Sequence, residues 1–169
     1  MFKILKVTIF FLFFFNTYVL SNEQKIVYLN LDYIIQNSIP GKLILQELDD
    51  QQKENINRFK LRKNDLLDIE QDIIKKKNIL SKEDFEAEAI NLNKEMKKYN
   101  EERKKTLLKL EENKKKKLNE FLEKITPLIQ KFVKENSINI VLNEKNLFIA
   151  NKKFDITNQI IEIVNKNIK

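Results

Sequence analysis

From residue 42 to residue 126 the chain holds no glycine and no proline, and its apolar positions recur at helical spacing among charges of both signs. Phe59, Leu66, Ile73 and Leu80 repeat every seven residues, the spacing of a coiled-coil seam. Of the companion positions Asn55, Arg62, Ile69 and Lys76, only Ile69 is apolar. The pattern therefore predicts a half-built, loosely paired seam. Ser81-Lys82-Glu83-Asp84 has the form of a helix start. The serine can accept from backbone N–H groups, and the acids suit the positive helix N-terminus. Beyond it the seam restarts at Phe85, Ala89, Leu92, Met96 and Tyr99. Together these signals predict a hairpin turning near residues 78–82, rather than one uninterrupted helix. The returning helix thins through Arg103 and Asn113. It then becomes densely apolar at Leu118, Phe121, Leu122, Ile125, Leu128, Ile129, Phe132 and Val133, and ends near Glu135. That thickening marks the point where the helix leaves solvent for a packed body. Pro127 should kink it, because proline removes a backbone bond and crowds the preceding turn.

The flanks read differently. Lys25 to Leu31 is a short β-branched run and predicts a buried strand, followed by one helical turn over 32–37. Ser38 is placed to cap the next helix, with Pro40 in its first turn. Ile138, Ile140 and Leu142 alternate with outward positions and predict a second strand. Leu147 to Ala150 predicts a third, after a turn at 144–146. Asp155 or Thr157 is expected to cap a last helix carrying Ile160, Ile161 and Val164. The fold class is α+β, mostly α: a long antiparallel helical hairpin, a coiled-coil arm, inserted in a small strand-and-helix body. The strands must meet, since each alone is an unpaired edge. The expected units are a signal peptide (1–21), the first strand and start of the helix (22–41), the arm (42–117) and the rest of the body (118–169).

The N-terminus has the form of a secretory signal. Lys3 and Lys6 precede an apolar core of about nine residues, too short for a membrane span of ~20. Val19 and Ser21 are small enough for cleavage after Ser21, which implies export. Losing the two lysines lowers the formal net charge from +7 to +5. The chain has no cysteine, so no disulfide can staple so small a body and no lipoprotein anchor is available. A small body without disulfide or metal is marginal alone, and oligomerisation is the remaining staple. The candidate oligomer core is Ile26, Tyr28, Leu118, Phe121, Ile125, Phe132, Ile140 and Leu142.

Chemistry is mostly excluded. A phosphate-cradling loop needs several glycines, and the chain has one, Gly41. Without histidine or cysteine it has neither a serine triad nor a thiol nucleophile, and zinc, copper and haem sites lose their usual ligands. No catalytic residue, metal site or cofactor is assigned. What remains is surface charge: Lys75, Lys76, Lys77 and Lys82 near the turn, Lys94, Lys97 and Lys98 beyond it, then Arg103, Lys104 and Lys105, and Lys114 to Lys117. These clusters have two readings. One is a solvated helix made lysine-rich by an AT-rich genome. The other is capture of acidic polypeptides or anionic lipid headgroups, lipopolysaccharide among them, with Lys75, Lys76, Lys77, Lys82, Lys94, Lys97, Lys98 and Arg103 as the binding surface. Off-seam Leu61, Leu67, Ile74 and Leu108 would add weak apolar contacts. Acids interleaved through the basic stretch argue against nucleic acid.

The order of these elements resembles the Skp (OmpH) family of periplasmic chaperones. The resemblance rests on the run Lys25 to Asp32 leading to Pro40-Gly41-Lys42, the charged hairpin, Pro127-Leu128-Ile129, the strand Ile138 to Leu142, and Phe154-Asp155-Ile156-Thr157 before the last helix. It spans essentially the whole mature chain. It implies a homotrimer with a central β body, three arms enclosing a cavity, and ATP-independent holding of unfolded outer-membrane β-barrel proteins. The alternative is a structural coiled-coil spacer or adaptor of an envelope complex.

Overall fold

The computed structural model describes residues 24 to 168, and the expected signal peptide lies outside them. The described chain runs β1 (Ile26–Leu29), α1 (Leu31–Asn37), α2 (Ile39–Lys76), α3 (Lys82–Glu135), β2 (Ile140–Asn143), two single 3-10 turns (Glu144–Asn146 and Lys152–Phe154) and α4 (Thr157–Asn167). Among the described residues no helix is long and apolar enough to cross a membrane.

The hairpin forms where its caps place it. The Ser38 hydroxyl accepts from the Gly41 backbone N–H and opens α2, with Pro40 in the first turn. The Ser81 hydroxyl accepts from the Asp84 N–H at 3.1 Å and opens α3. At ~1.5 Å per residue, the 38 residues of α2 span roughly 57 Å. α3 has 54 residues and runs on through Pro127 to Glu135.

β1 is shorter than the apolar run that predicted it. The Asn30 side chain accepts from the Tyr33 N–H at 2.8 Å and caps α1, so Leu31 already belongs to the helix. β1 and β2 pair in parallel, Ile26 opposite Ile140 and Tyr28 opposite Leu142. Parallel strands need a long crossover; here the whole arm is that crossover. At β1 the segment before α4 adds one more bridge, with the Ile156 N–H donating to the Tyr28 carbonyl at 2.9 Å. The third strand expected at Leu147–Ala150 does not form. This segment joins no ladder, and Phe148 is 99 % exposed. An apolar run becomes a strand only where a backbone edge receives it, and among the described residues this one pairs with neither strand.

The core sits where the two ends of the chain meet. Val27, Leu29, Ile34, Phe121, Ile125, Ile138, Ile156, Ile160 and Val164 form one buried cluster. The Asp155 carboxylate accepts from the Thr157 N–H at 2.8 Å, so Asp155 is the residue that satisfies the first turn of α4. The Thr157 hydroxyl instead accepts from the Asn30 N–H at 2.9 Å. At the foot of the arm the Ile39 N–H donates to Asn165 Oδ1 at 2.7 Å, which ties α4 to the start of α2.

Four residues of the expected oligomer set lie in, against or near this core. Phe121 and Ile125 are buried by the chain's own elements, and Phe132 packs against the same cluster, with Leu118 half-buried nearby. The dense stretch of α3 is thus buried by its own chain at Phe121 and Ile125 and only partly covered at Leu122, Leu128, Ile129, Phe132 and Val133. The face assignment of β2 is corrected. Val141, expected outward, is the residue packed on the core, while Ile140 and Leu142 face away from it.

Candidate binding surfaces

The first surface is the outer face of the two-stranded sheet. Strand residues point alternately to opposite faces. Val27, Leu29 and Val141 turn to the core, which sends Ile26, Tyr28, Ile140 and Leu142 the other way. Ile26, Ile140 and Leu142 remain 38–42 % exposed, and the uncovered Ile149 lines a hollow together with Ile26, Tyr28 and Leu142. Isolated apolar side chains on a surface are ordinary; a contiguous set on a sheet face marks a contact site. Tyr28 is buried beneath this patch, and that burial, with the Asp155 and Glu144 carboxylates nearby, raises its phenol above the ordinary value. It stays neutral and fits an apolar contact. Four of the predicted oligomer residues, Ile26, Tyr28, Ile140 and Leu142, are thus brought together here.

The second surface is the arm. Its seam is buried at Leu48, Leu66 and Ile73. Phe59 and Tyr99 meet edge to face, with ring centroids 5.9 Å apart. Elsewhere the two helices are joined by polar pairs: Lys117 to Glu47 at 2.8 Å, Asn113 to Gln51 at 2.8 Å, Arg58 to Thr106, and Arg62 to Glu95. The companion row is open, with Ile69 45 % exposed. Regions with few buried apolar contacts open locally at low cost. Amide hydrogen exchange is therefore expected to be fast along residues 50 to 115 and slow in β1 and β2. Equal protection in arm and body would refute a loose seam.

The structure gathers Lys75, Lys76, Lys77 and Lys82 at the tip, around the turn between α2 and α3. Lys76 lies 2.6 Å from Asp72 on its own helix; each raises or lowers the other's titration, the amine upward and the carboxyl downward. Lys76 is thus partly neutralised, while Lys75, Lys77 and Lys82 are exposed. Lys94, Lys97 and Lys98 lie further along α3, exposed and apart from the tip group. Arg103 lies in mid-arm, in a groove with Lys60 and Lys63. Those two lysines, with Ile56 and Leu107 below them, were not singled out by the sequence. Their only signal is an apolar residue just off the seam on each helix. Among the described residues no group of acids is arranged to hold a metal ion.

With this geometry in hand, comparison with known proteins is direct. A family model described as outer membrane protein (OmpH-like) matches residues 25–164, and the chain belongs to that family. The fold is similar to a crystal structure from Caulobacter crescentus, described there as a candidate OmpH-like outer membrane chaperone. The TM-score is 0.80 at 16 % sequence identity, over 86 % of each chain. Similarity at that identity speaks to the fold. Among curated proteins none matches.

Proposed function

We propose that this protein is a periplasmic holdase: an ATP-independent chaperone that keeps unfolded outer-membrane β-barrel proteins from aggregating. The observation that carries the reading is a long, loosely seamed arm on a small body with an uncovered apolar sheet face. The face built from Ile26, Ile140 and Leu142 favours self-association, and family likeness suggests three copies. Arms from three copies would bound a shared space, so many weak contacts would act together through high effective concentration. The lysines of the tip and of α3 would speed encounter with acidic chains, and they offer the same chemistry to lipopolysaccharide or another anionic lipid surface. Membership of the OmpH-like family and the fold shared with the Caulobacter protein support the reading.

The test is to dilute a urea-unfolded β-barrel protein into buffer with this protein and follow turbidity. Suppression should be equal with and without ATP. Association should slow as salt rises, because exposed charges are screened over roughly 8 Å at physiological ionic strength. Lys75→Gln, Lys76→Gln, Lys77→Gln and Lys82→Gln together should slow it likewise without changing the oligomer. A strict ATP requirement, or no suppression at all, would end the holdase reading; rates indifferent to salt would leave the lysines as solvated helix surface.

A further inference from the structure

One face of the arm carries a groove between α2 and α3. Its floor is Ile56, Phe59, Tyr99 and Leu107, and its rim holds Lys60, Lys63 and Arg103. It continues toward the tip past Leu67 and Met96, with Lys63, Tyr99 and Arg103 common to both stretches. The floor is open to solvent: Ile56 is 56 % and Leu107 54 % exposed. The rim cations make no salt bridge among the described residues. The lining acids are Glu111 at one end and Glu70 at the other.

A second groove lies nearer the tip and has the opposite character. Leu66, Ile69 and Ile73 floor it, and Asp68, Asp72, Glu88 and Glu95 stand around it with one cation, Lys76. Asp72 is paired with Lys76 and Glu95 with Arg62, which leaves Asp68 and Glu88 without a salt bridge among the described residues. An arm that merely presented a wet, mixed-charge surface would have no reason to separate its charges between two apolar grooves. The mid-arm groove, with three unpaired cations on its rim, suits an apolar segment carrying carboxylates better than the distal one does.

Length narrows the occupant further. From residue 52 to residue 70 the groove runs roughly 27 Å along α2, at ~1.5 Å per residue. An extended chain rises about 3.4 Å per residue, so about eight residues fit. Strands of outer-membrane barrels have ~9–11 residues and alternate apolar with polar. Laid extended in the groove, such a segment puts every second side chain on the floor. Acids at the other positions reach the lysine rim.

We propose that this groove captures an extended client segment of alternating apolar and acidic residues. The proposal rests on the holdase reading and adds where on the arm the client is read and by what chemistry. Two fluorophore-labelled ten-residue peptides test it on the full protein, one alternating Leu with Asp and one alternating Leu with Lys. At low salt the Leu–Asp peptide should bind roughly tenfold more tightly or better, a preference set by charge complementarity. Lys60→Glu with Lys63→Glu should reverse the order. Ile56→Asp with Leu107→Asp should abolish Leu–Asp binding, whereas Ile79→Asp at the tip should leave it unchanged. Equal affinity for the two peptides overturns the proposal, as does Leu–Asp binding that survives both groove pairs. The same variants are assayed for holding an unfolded barrel protein. Loss of holding in the groove variants supports the proposal. Full holding by both overturns the groove as a client site while sparing the holdase reading. A parent that binds the Leu–Asp peptide here yet holds no barrel protein supports the groove and removes the holdase reading.

Discussion

Ile140→Asp combined with Leu142→Asp is expected to yield folded monomers if the parent protein assembles through this face as proposed. Both side chains lie on the outer sheet face and are 42 % and 38 % exposed in the single chain, so carboxylates there remain hydrated in the monomer. In an assembly joined through this face they become buried and unpaired, at a cost of at least several kcal/mol. Two such charges in each subunit outweigh what a modest apolar contact returns. Light scattering should show the monomer mass, and circular dichroism should show retained helix. Phe132→Asp is the informative contrast. Phe132 packs on the chain's own core, so its replacement should lower the thermal midpoint rather than only separate subunits. The unpaired segment Leu147–Ala150 sharpens the test. If a neighbouring subunit supplies the missing edge, its amides exchange slowly in the parent and quickly in the double variant; main-chain pairing of this kind is how an extended segment adds to an open sheet. A double variant that keeps the parent's mass would show that this face is not the interface.

Much of this architecture was legible because it depends on local signals. Ser38, Ser81 and the Pro40-Gly41 pair mark helix starts by their own chemistry, and the structure uses each of them. The heptad row Phe59, Leu66 and Ile73 declares its own face. The parts that were misread depend on distant partners. Leu147 to Ala150 has strand composition but pairs with neither strand of the described sheet. Val141 lies inward because the pairing Ile26 to Ile140 fixes the register, and a register shift of one would reverse every face. Phe121 and Ile125 are buried within the single chain, and a dense apolar stripe does not say how much of it its own chain and how much another copy will cover. The mid-arm groove was hidden for a related reason. Lys60 and Lys63 lie 40 or more positions from Arg103 across the turn, and only the hairpin register brings all three to one rim.

Gly41→Ala should destabilise the protein, although helix propensity alone predicts the reverse. Gly41 lies in the first turn of α2, and replacing a helical glycine by alanine ordinarily gains ~1 kcal/mol. Its backbone is not in the left-handed region, so conformation does not demand glycine there. Close approach does. A Cβ at this position would lie 2.0 Å from the Ile35 carbonyl oxygen and 2.7 Å from the Ser38 hydroxyl. The hydroxyl can rotate, but the carbonyl is main chain in α1, so α1 and α2 must separate. Overpacking of that severity costs about 3 kcal/mol or more, which leaves a net loss of roughly 2 kcal/mol. For a chain of this size each kcal/mol moves the thermal midpoint by ~2–4 °C, so a fall of roughly 4–8 °C is expected. The consequence reaches the arm, because this contact sets the angle at which α2 leaves the body. Adding Ser38→Ala should give no recovery: it removes the softer of the two contacts, deletes the α2 cap, and leaves the Ile35 carbonyl in place. A midpoint that rises with Gly41→Ala would show that α1 yields to the methyl group and that the lone glycine is there for another reason.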